Sequence, residues 1–175
     1  QTETGGPGIP GTMVEVASSP KYPSVWGVTA NGVDGKSRVY VTHDFGKSWR
    51  ESVPVMSPAQ EAANSAVGVA FDPDDSTGST YYVATGGSFG YAEAPGTSDA
   101  YVFKTTDGGK SFVALGAGDD QGHGALPKVP ASVIRTDPEN PDVVYVGNVL
   151  GVYRSADKGQ TWKRLGKNMP FVSVS

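Results

Sequence analysis

The feature that most constrains this chain is a turn stated three times. Val39-Tyr-Val-Thr42-His-Asp44-Phe-Gly46-Lys-Ser-Trp49 returns as Val102-Phe-Lys-Thr105-Thr-Asp107-Gly-Gly109-Lys-Ser-Phe112 and again as Val152-Tyr-Arg-Ser155-Ala-Asp157-Lys-Gly159-Gln-Thr-Trp162. Each copy fits Ser/Thr-x-Asp-x-Gly-x-Ser/Thr-aromatic, entered through a Val and an aromatic residue; we call it a box. The Asp carboxylate can accept backbone N–H groups across a tight turn, and the Gly supplies the positive φ that such a turn needs. The Val-aromatic entry reads as the end of a strand, and the closing ring can fold back over the hairpin. Asp44, Asp107 and Asp157 are therefore read as turn anchors and not as catalytic carboxylates. Thr42, Gly46, Trp49, Thr105, Gly109, Phe112, Ser155, Gly159 and Trp162 complete the structural set.

Around each box the same order of strands recurs. The first pass reads as strands at Met13–Ala17, Val25–Thr29, Arg38–Thr42 and Trp49–Val53; the second as Val67–Phe71, Thr80–Ala84, Ala100–Lys104 and Phe112–Leu115; the third as Ser132–Arg135, Val143–Val146, Gly151–Arg154 and Trp162–Leu165. With 24 Gly and 13 Pro, the chain is too rich in turns for long helices. The box aspartates are spaced by 63 and 50 residues, close to the repeat lengths of propeller blades. The expectation is all-β: a partial β-propeller with blades at about 13–55, 66–116 and 131–166. A Gly/Pro-rich arm precedes it over 1–12, and Phe171-Val-Ser-Val174 within 170–175 has the look of a first strand of a further blade. An open three-sheet solenoid and a two-sheet sandwich are the alternative folds.

Three blades fall short of the roughly four to eight that close a propeller ring. Each blade also exposes an apolar face unless another covers it. The expected partner is therefore the remainder of a longer propeller, or further copies of the chain that complete the ring. The net charge is −4 with 18% charged residues, which gives no footprint for nucleic acid or an anionic membrane and favours a neutral ligand. No apolar run is long enough to span a membrane, and no signal peptide is present in the chain. Cys is absent, which excludes disulfides and thiolate chemistry, and no metal or cofactor is expected.

If strands run outwards from the centre of each blade, the boxes and the brief, Pro-rich turns at 72–79 and 136–142 lie on one face. The longer connections at 31–37, 51–66, 85–99 and 116–130 open on the other, where function is expected. Two loop groups there carry chemistry. Asp119-Asp120-Gln-Gly-His123 places two carboxylates and an imidazole within five residues, a group suited to acid–base work, with Asp119 and Asp120 as the catalytic candidates. Thr85-Gly-Gly-Ser-Phe89-Gly-Tyr91-Ala-Glu93 offers two aromatic platforms and a carboxylate, the pattern a sugar ring needs. Phe89, Tyr91, Glu93 and His123 are the ligand-binding candidates. His43 reads as surface, and Trp26, Trp49 and Trp162 as core.

The three boxes, with Asp137-Pro-Glu-Asn-Pro-Asp-Val-Val-Tyr-Val-Gly147 leading into Gly151-Val-Tyr-Arg-Ser155, resemble Asp-box, or BNR-repeat, β-propellers. The phrasing is most similar to xyloglucanase-type glycoside hydrolases and related exported propellers. The resemblance covers about residues 13–175 and implies a secreted protein that binds, and in complete form hydrolyses, a neutral polysaccharide. A non-catalytic protein-interaction scaffold, sortilin-like or assembly-factor-like, is the alternative it implies. Sialidases share the box and grip a substrate carboxylate with three arginines. Here Arg38, Arg50, Arg154 and Arg164 fall towards the outer strands and only Arg135 lies near an inner one, so a sialidase site is not expected.

Overall fold

The computed structural model describes residues 8–61, 64–87, 101–116 and 123–166. Twelve strands form three four-stranded antiparallel sheets in chain order. The first holds β1 (Thr12–Ser18), β2 (Trp26–Asn31), β3 (Ser37–Thr42) and β4 (Arg50–Glu51). The second holds β5 (Asn64–Phe71), β6 (Tyr81–Gly87), β7 (Val102–Thr105) and β8 (Val113–Leu115). The third holds β9 (Ala131–Thr136), β10 (Val144–Asn148), β11 (Gly151–Ser155) and β12 (Lys163–Arg164). A single helical turn, α1 (Pro58–Glu61), interrupts the connection between the first two sheets. The strands fall within a few residues of the expected ones, and β1 takes in Thr12, which the sequence assigned to the arm.

The sheets stack face to face, with β5 against β1 and β9 against β5, so the first strand of each sheet lies against its counterpart in the next. Two apolar seams result. In the first, Val25, Val39 and Val41 meet Val69, Phe71, Tyr81 and Phe103. In the second, Ala70, Tyr82 and Val102 meet Ile134, Val144 and Trp162. Each sheet offers alternate residues of its strands to the two sides, so one sheet can bury both faces while carrying different side chains on each.

The innermost strand of each sheet carries one extra residue at the corresponding place. Pairing skips Val14 between Met13 and Glu15, Val67 between Ala66 and Gly68, and Ser132 between Ala131 and Val133. Such bulges bend a strand and re-aim its side chains. One consequence is visible at Glu15: its carboxylate accepts the Val69 N–H at 3.0 Å and pairs with the Arg135 guanidinium at 2.9 Å, tying all three sheets together. A Cβ on Gly68 would stand 3.1 Å from that carboxylate, so the glycine in the second bulge leaves the room.

Of the three tryptophans, Trp162 is buried and Trp49 half-buried, but Trp26 is 39% exposed. That corrects the core assignment of Trp26. It lies on the face of the first sheet turned away from the second, where no described residue packs a sheet against it. His43 is exposed, as expected.

Tyr82 is fully buried, yet its hydroxyl finds no hydrogen-bond partner among the described residues. Burial pushes the phenol well above its ordinary pKa, and the Lys104 ammonium sits 5.2 Å from the ring centre. Tyr82→Phe keeps the ring and the cation above it while removing an unsatisfied buried group. It is expected to stabilise the chain by about 1 kcal/mol, read as a raised denaturant midpoint at constant m-value. A lower midpoint would show that the hydroxyl is bonded.

Candidate functional site

The boxes come first, because their geometry decides whether their carboxylates are available for chemistry. In the first, the Thr42 hydroxyl donates to Asp44 Oδ1 at 2.7 Å and accepts from the Gly46 N–H at 2.9 Å. Asp44 also accepts from the Ser48 N–H at 2.9 Å and the Ser48 hydroxyl at 2.6 Å. The second box repeats this through Thr105, Asp107, Gly109 and Ser111, and the third through Ser155, Asp157, Gly159 and Thr161. Every Ser/Thr, Asp and Gly position of the pattern is thus accounted for by a bond inside the turn. The Ser48 hydroxyl leads in lowering Asp44 to a pKa of about 2, and the Ser111 hydroxyl leads in holding Asp107 below the ordinary carboxylate range. Burial pulls Asp157 the other way, but bonds from Ser155 and Thr161 outweigh it and leave it lowered. An anionic carboxylate whose oxygens are engaged by neighbouring N–H and O–H groups is a poor proton donor or nucleophile.

Each box also holds two successive residues in the left-handed region, the expected glycine and the residue before it. The pairs are Phe45 (φ 59°) and Gly46 (φ 84°), Gly108 (75°) and Gly109 (83°), and Lys158 (58°) and Gly159 (91°). The closing ring folds back as expected. Trp49 lies 3.5 Å from where a Cβ on Gly46 would stand, and the Trp162 indole donates to the Gly159 carbonyl at 3.0 Å.

The opposite face carries the cleft. A cavity of about 260 Å³ opens between the second and third sheets, where β7 begins, β8 ends, β9 begins and β10 ends. Val102, Leu115, Leu126 and Val146 form apolar walls, with Tyr101, Lys128 and Asn148 as the hydrogen-bonding side chains. The Tyr101 carbonyl accepts the Thr85 N–H at 2.9 Å, and the buried Asn148 amide oxygen accepts the Leu150 N–H at 2.8 Å. Both anchor points are therefore fixed by the backbone beside them. No carboxylate lines the cleft among the described residues. Apolar walls with a few placed polar groups form a site that holds a ring or an apolar side chain.

Of the residues expected from sequence, Phe89, Tyr91, Glu93, Asp119 and Asp120 lie outside the described residues. His123 is exposed, beside Gly124, whose carbonyl accepts the Trp162 N–H at 2.7 Å. The chain then runs through Ala125 and Leu126 into the cleft wall. Tyr101, Lys128 and Asn148 escaped the sequence reading. They come from separate stretches with no shared motif, and only sheet-on-sheet packing brings them together.

No family model and no curated protein matches the chain. Solved structures do. A GH74 enzyme of Niastella koreensis superposes with a TM-score of 0.58 at 19% identity, covering 93% of this chain and 24% of that one. An ancestral GH74 enzyme gives 0.56 at 20% identity, over 92% and 20% of the respective chains. YCF48 bound to D1 peptide gives 0.55 at 17% identity, over 90% and 40%. The chain thus spans between a fifth and two fifths of the length of these structures. Such likeness shows the fold: the three sheets are blades of a β-propeller, and the chain is a segment of that all-β architecture.

Proposed function

We propose that this chain is the binding segment of an exported β-propeller that holds a neutral polysaccharide across the face opposite the boxes. The cleft between the second and third blades receives one sugar ring against Tyr101. The observation that carries this reading is the cleft itself: apolar walls and an aromatic, with a few polar groups and, among the described residues, no lining carboxylate, on the face where the long connections lie. A sugar presents apolar C–H faces and a rim of hydroxyls, which such a lining complements. The net charge of −4 and the fold shared with GH74 enzymes point the same way. On this reading Asp119 and Asp120 remain the carboxylates for hydrolysis, to be tested by loss of turnover in Asp119→Asn and Asp120→Asn.

Calorimetric titration with β-linked gluco-oligosaccharides tests the binding. Tyr101→Ala is expected to weaken affinity about tenfold or more, in line with about 1.4 kcal/mol or more for a lost ring contact. Tyr101→Phe should retain most of it. No heat with any β-glucan, or unchanged affinity in Tyr101→Ala, overturns the assignment. A second reading, a scaffold that takes an extended peptide, is favoured by the aliphatic character of most of the wall, which fits a Leu or Val side chain as readily as a sugar. Binding of apolar peptides, with none of glycans, selects it.

A further inference from the structure

The blades share one register, so the two seams can be compared place by place. Counting back from the boxes, Val39 in β3 and Val102 in β7 are counterparts. Pairing across the bulged inner strands makes Ala66 and Thr85 of the second blade the counterparts of Ala131 and Asn148 of the third, and Val83 that of Val146. In the second seam Val102, Ala131 and Val146 line the cleft. In the first, Val39, Ala66 and Val83 belong to one buried cluster with Val55 and Met56, which are 4% and 5% exposed. Both of these come from the connection after β4, and the Val55 N–H donates to the Ser37 carbonyl at 3.0 Å, which holds that connection beside the start of β3. The first seam thus covers with its own apolar side chains the residues whose counterparts, in the second, line a cavity of about 260 Å³.

Asn148 adds a polar requirement. It is 2% exposed, and its Oδ1 accepts the Leu150 N–H at 2.8 Å, which settles which way round the amide lies. No described residue accepts from its NH2 group, and the residue lines the cleft. A buried N–H left unpaired costs free energy, and an occupant that brings an oxygen to it recovers that cost. The cleft therefore asks for an apolar group and an acceptor oxygen side by side.

We propose that the cleft takes an acetyl group carried on the sugar. Its methyl lies against Val102, Leu115 and Val146, and its carbonyl oxygen accepts from Asn148 Nδ2. This rests on the polysaccharide reading above and makes the polymer an acetylated one. The chemistry decides between substituents. An alkyl group would suit the walls and leave the amide unpaired, whereas a carboxylate would pair the amide and set a full charge against aliphatic side chains. An acetyl group meets both demands without charge. An acetamide and an acetate ester present the same methyl and carbonyl, so the sugar can carry either.

Titration calorimetry with matched oligosaccharides tests this: N-acetylchitotetraose against cellotetraose for the amide, and O-acetylated xylo-oligosaccharides against the same material after alkaline deacetylation for the ester. In at least one pair the acetylated member is expected to bind about tenfold tighter, the combined effect of one neutral hydrogen bond and one buried methyl group. The pair that shows it names the source. Asn148→Asp, measured above neutral pH so that the carboxylate is ionised, keeps an acceptor for the Leu150 N–H and loses the donor. It is expected to erase the acetyl preference and leave the affinity for the unacetylated member unchanged. Asn148→Thr installs the residue that the second blade has at the same register, and should reduce the preference at an unchanged melting temperature. It carries the test if Asn148→Asp fails to fold. Equal affinity within both pairs, or a preference that survives both substitutions, overturns the acetyl assignment and leaves the polysaccharide reading standing. No binding of any of these oligosaccharides overturns both.

Discussion

Gly109→Ala is expected to be among the most damaging single-methyl changes in the chain, lowering stability by about 2–6 kcal/mol. Two costs combine. Gly109 sits at φ 83°, where an L side chain is strained by about 1–3 kcal/mol. Its Cβ would also fall onto the Tyr81 hydroxyl and within 2.5 Å of Ser52 Cβ, an overpacked position costing about 1–3 kcal/mol more. Nor can the box shift away easily, since the Gly109 carbonyl accepts the Val53 N–H at 2.8 Å across the seam. Gly35→Ala is the matched control: its φ of 74° carries similar backbone strain, but nothing lies within 4 Å of the new methyl. Chemical denaturation of the two variants separates the terms. Equal losses would show that Tyr81 and Ser52 yield freely and that the seam is loosely packed.

Trp162→Ala should cost about 3–5 kcal/mol, the usual range for emptying a buried indole. Trp162 is 3% exposed in the second seam, and its indole N–H closes the third box through Gly159. Truncation therefore opens a cavity between two blades and releases the turn that holds β11 to β12. Trp162→Phe should lose about 1 kcal/mol for the missing N–H bond, plus a smaller packing term. If Trp162→Ala unfolded at the same midpoint as the parent chain, the third blade would have to be held by contacts other than this seam.

How far the sequence could be read follows from what each feature depends on. The boxes were legible because the side-chain bonds that close each turn lie within eight residues, so residue type and spacing describe them; the bonds that tie them to their surroundings, such as Gly108 N–H to the Ser79 carbonyl, left no such signal. The strands were legible for the same reason, bounded on both sides by turn chemistry. The bulges at Val14, Val67 and Ser132 were not, because an extra residue in an alternating strand shows only once its partner is known. The left-handed Phe45 and Lys158 were missed because neither residue type announces that conformation; the box geometry imposes it. Trp26 was misread since burial there depends on a neighbouring face, not on the residue. The cleft is the extreme case. Tyr101, Leu126 and Asn148 are brought together by the second seam alone, with no local signal at any of the three.

The two faces differ in a way that bears on how such a molecule can vary. Between the third and fourth strands the connections are 43–49, 106–112 and 156–162, the same length in every blade. Between the second and third strands they are 32–36, 88–101 and 149–150, from two residues to fourteen. Each box is a closed unit that cannot gain a residue without breaking its own bonds. The opposite connections already differ in length from blade to blade, and doubling a loop costs about 0.6 kcal/mol in closure entropy. Insertions, duplications and grafted sequences will therefore accumulate on the cleft side while the box side stays metrically fixed. One face works as a ruler and the other as an open slate, so a lineage of such chains can acquire new ligands by lengthening loops without renegotiating the architecture that carries them.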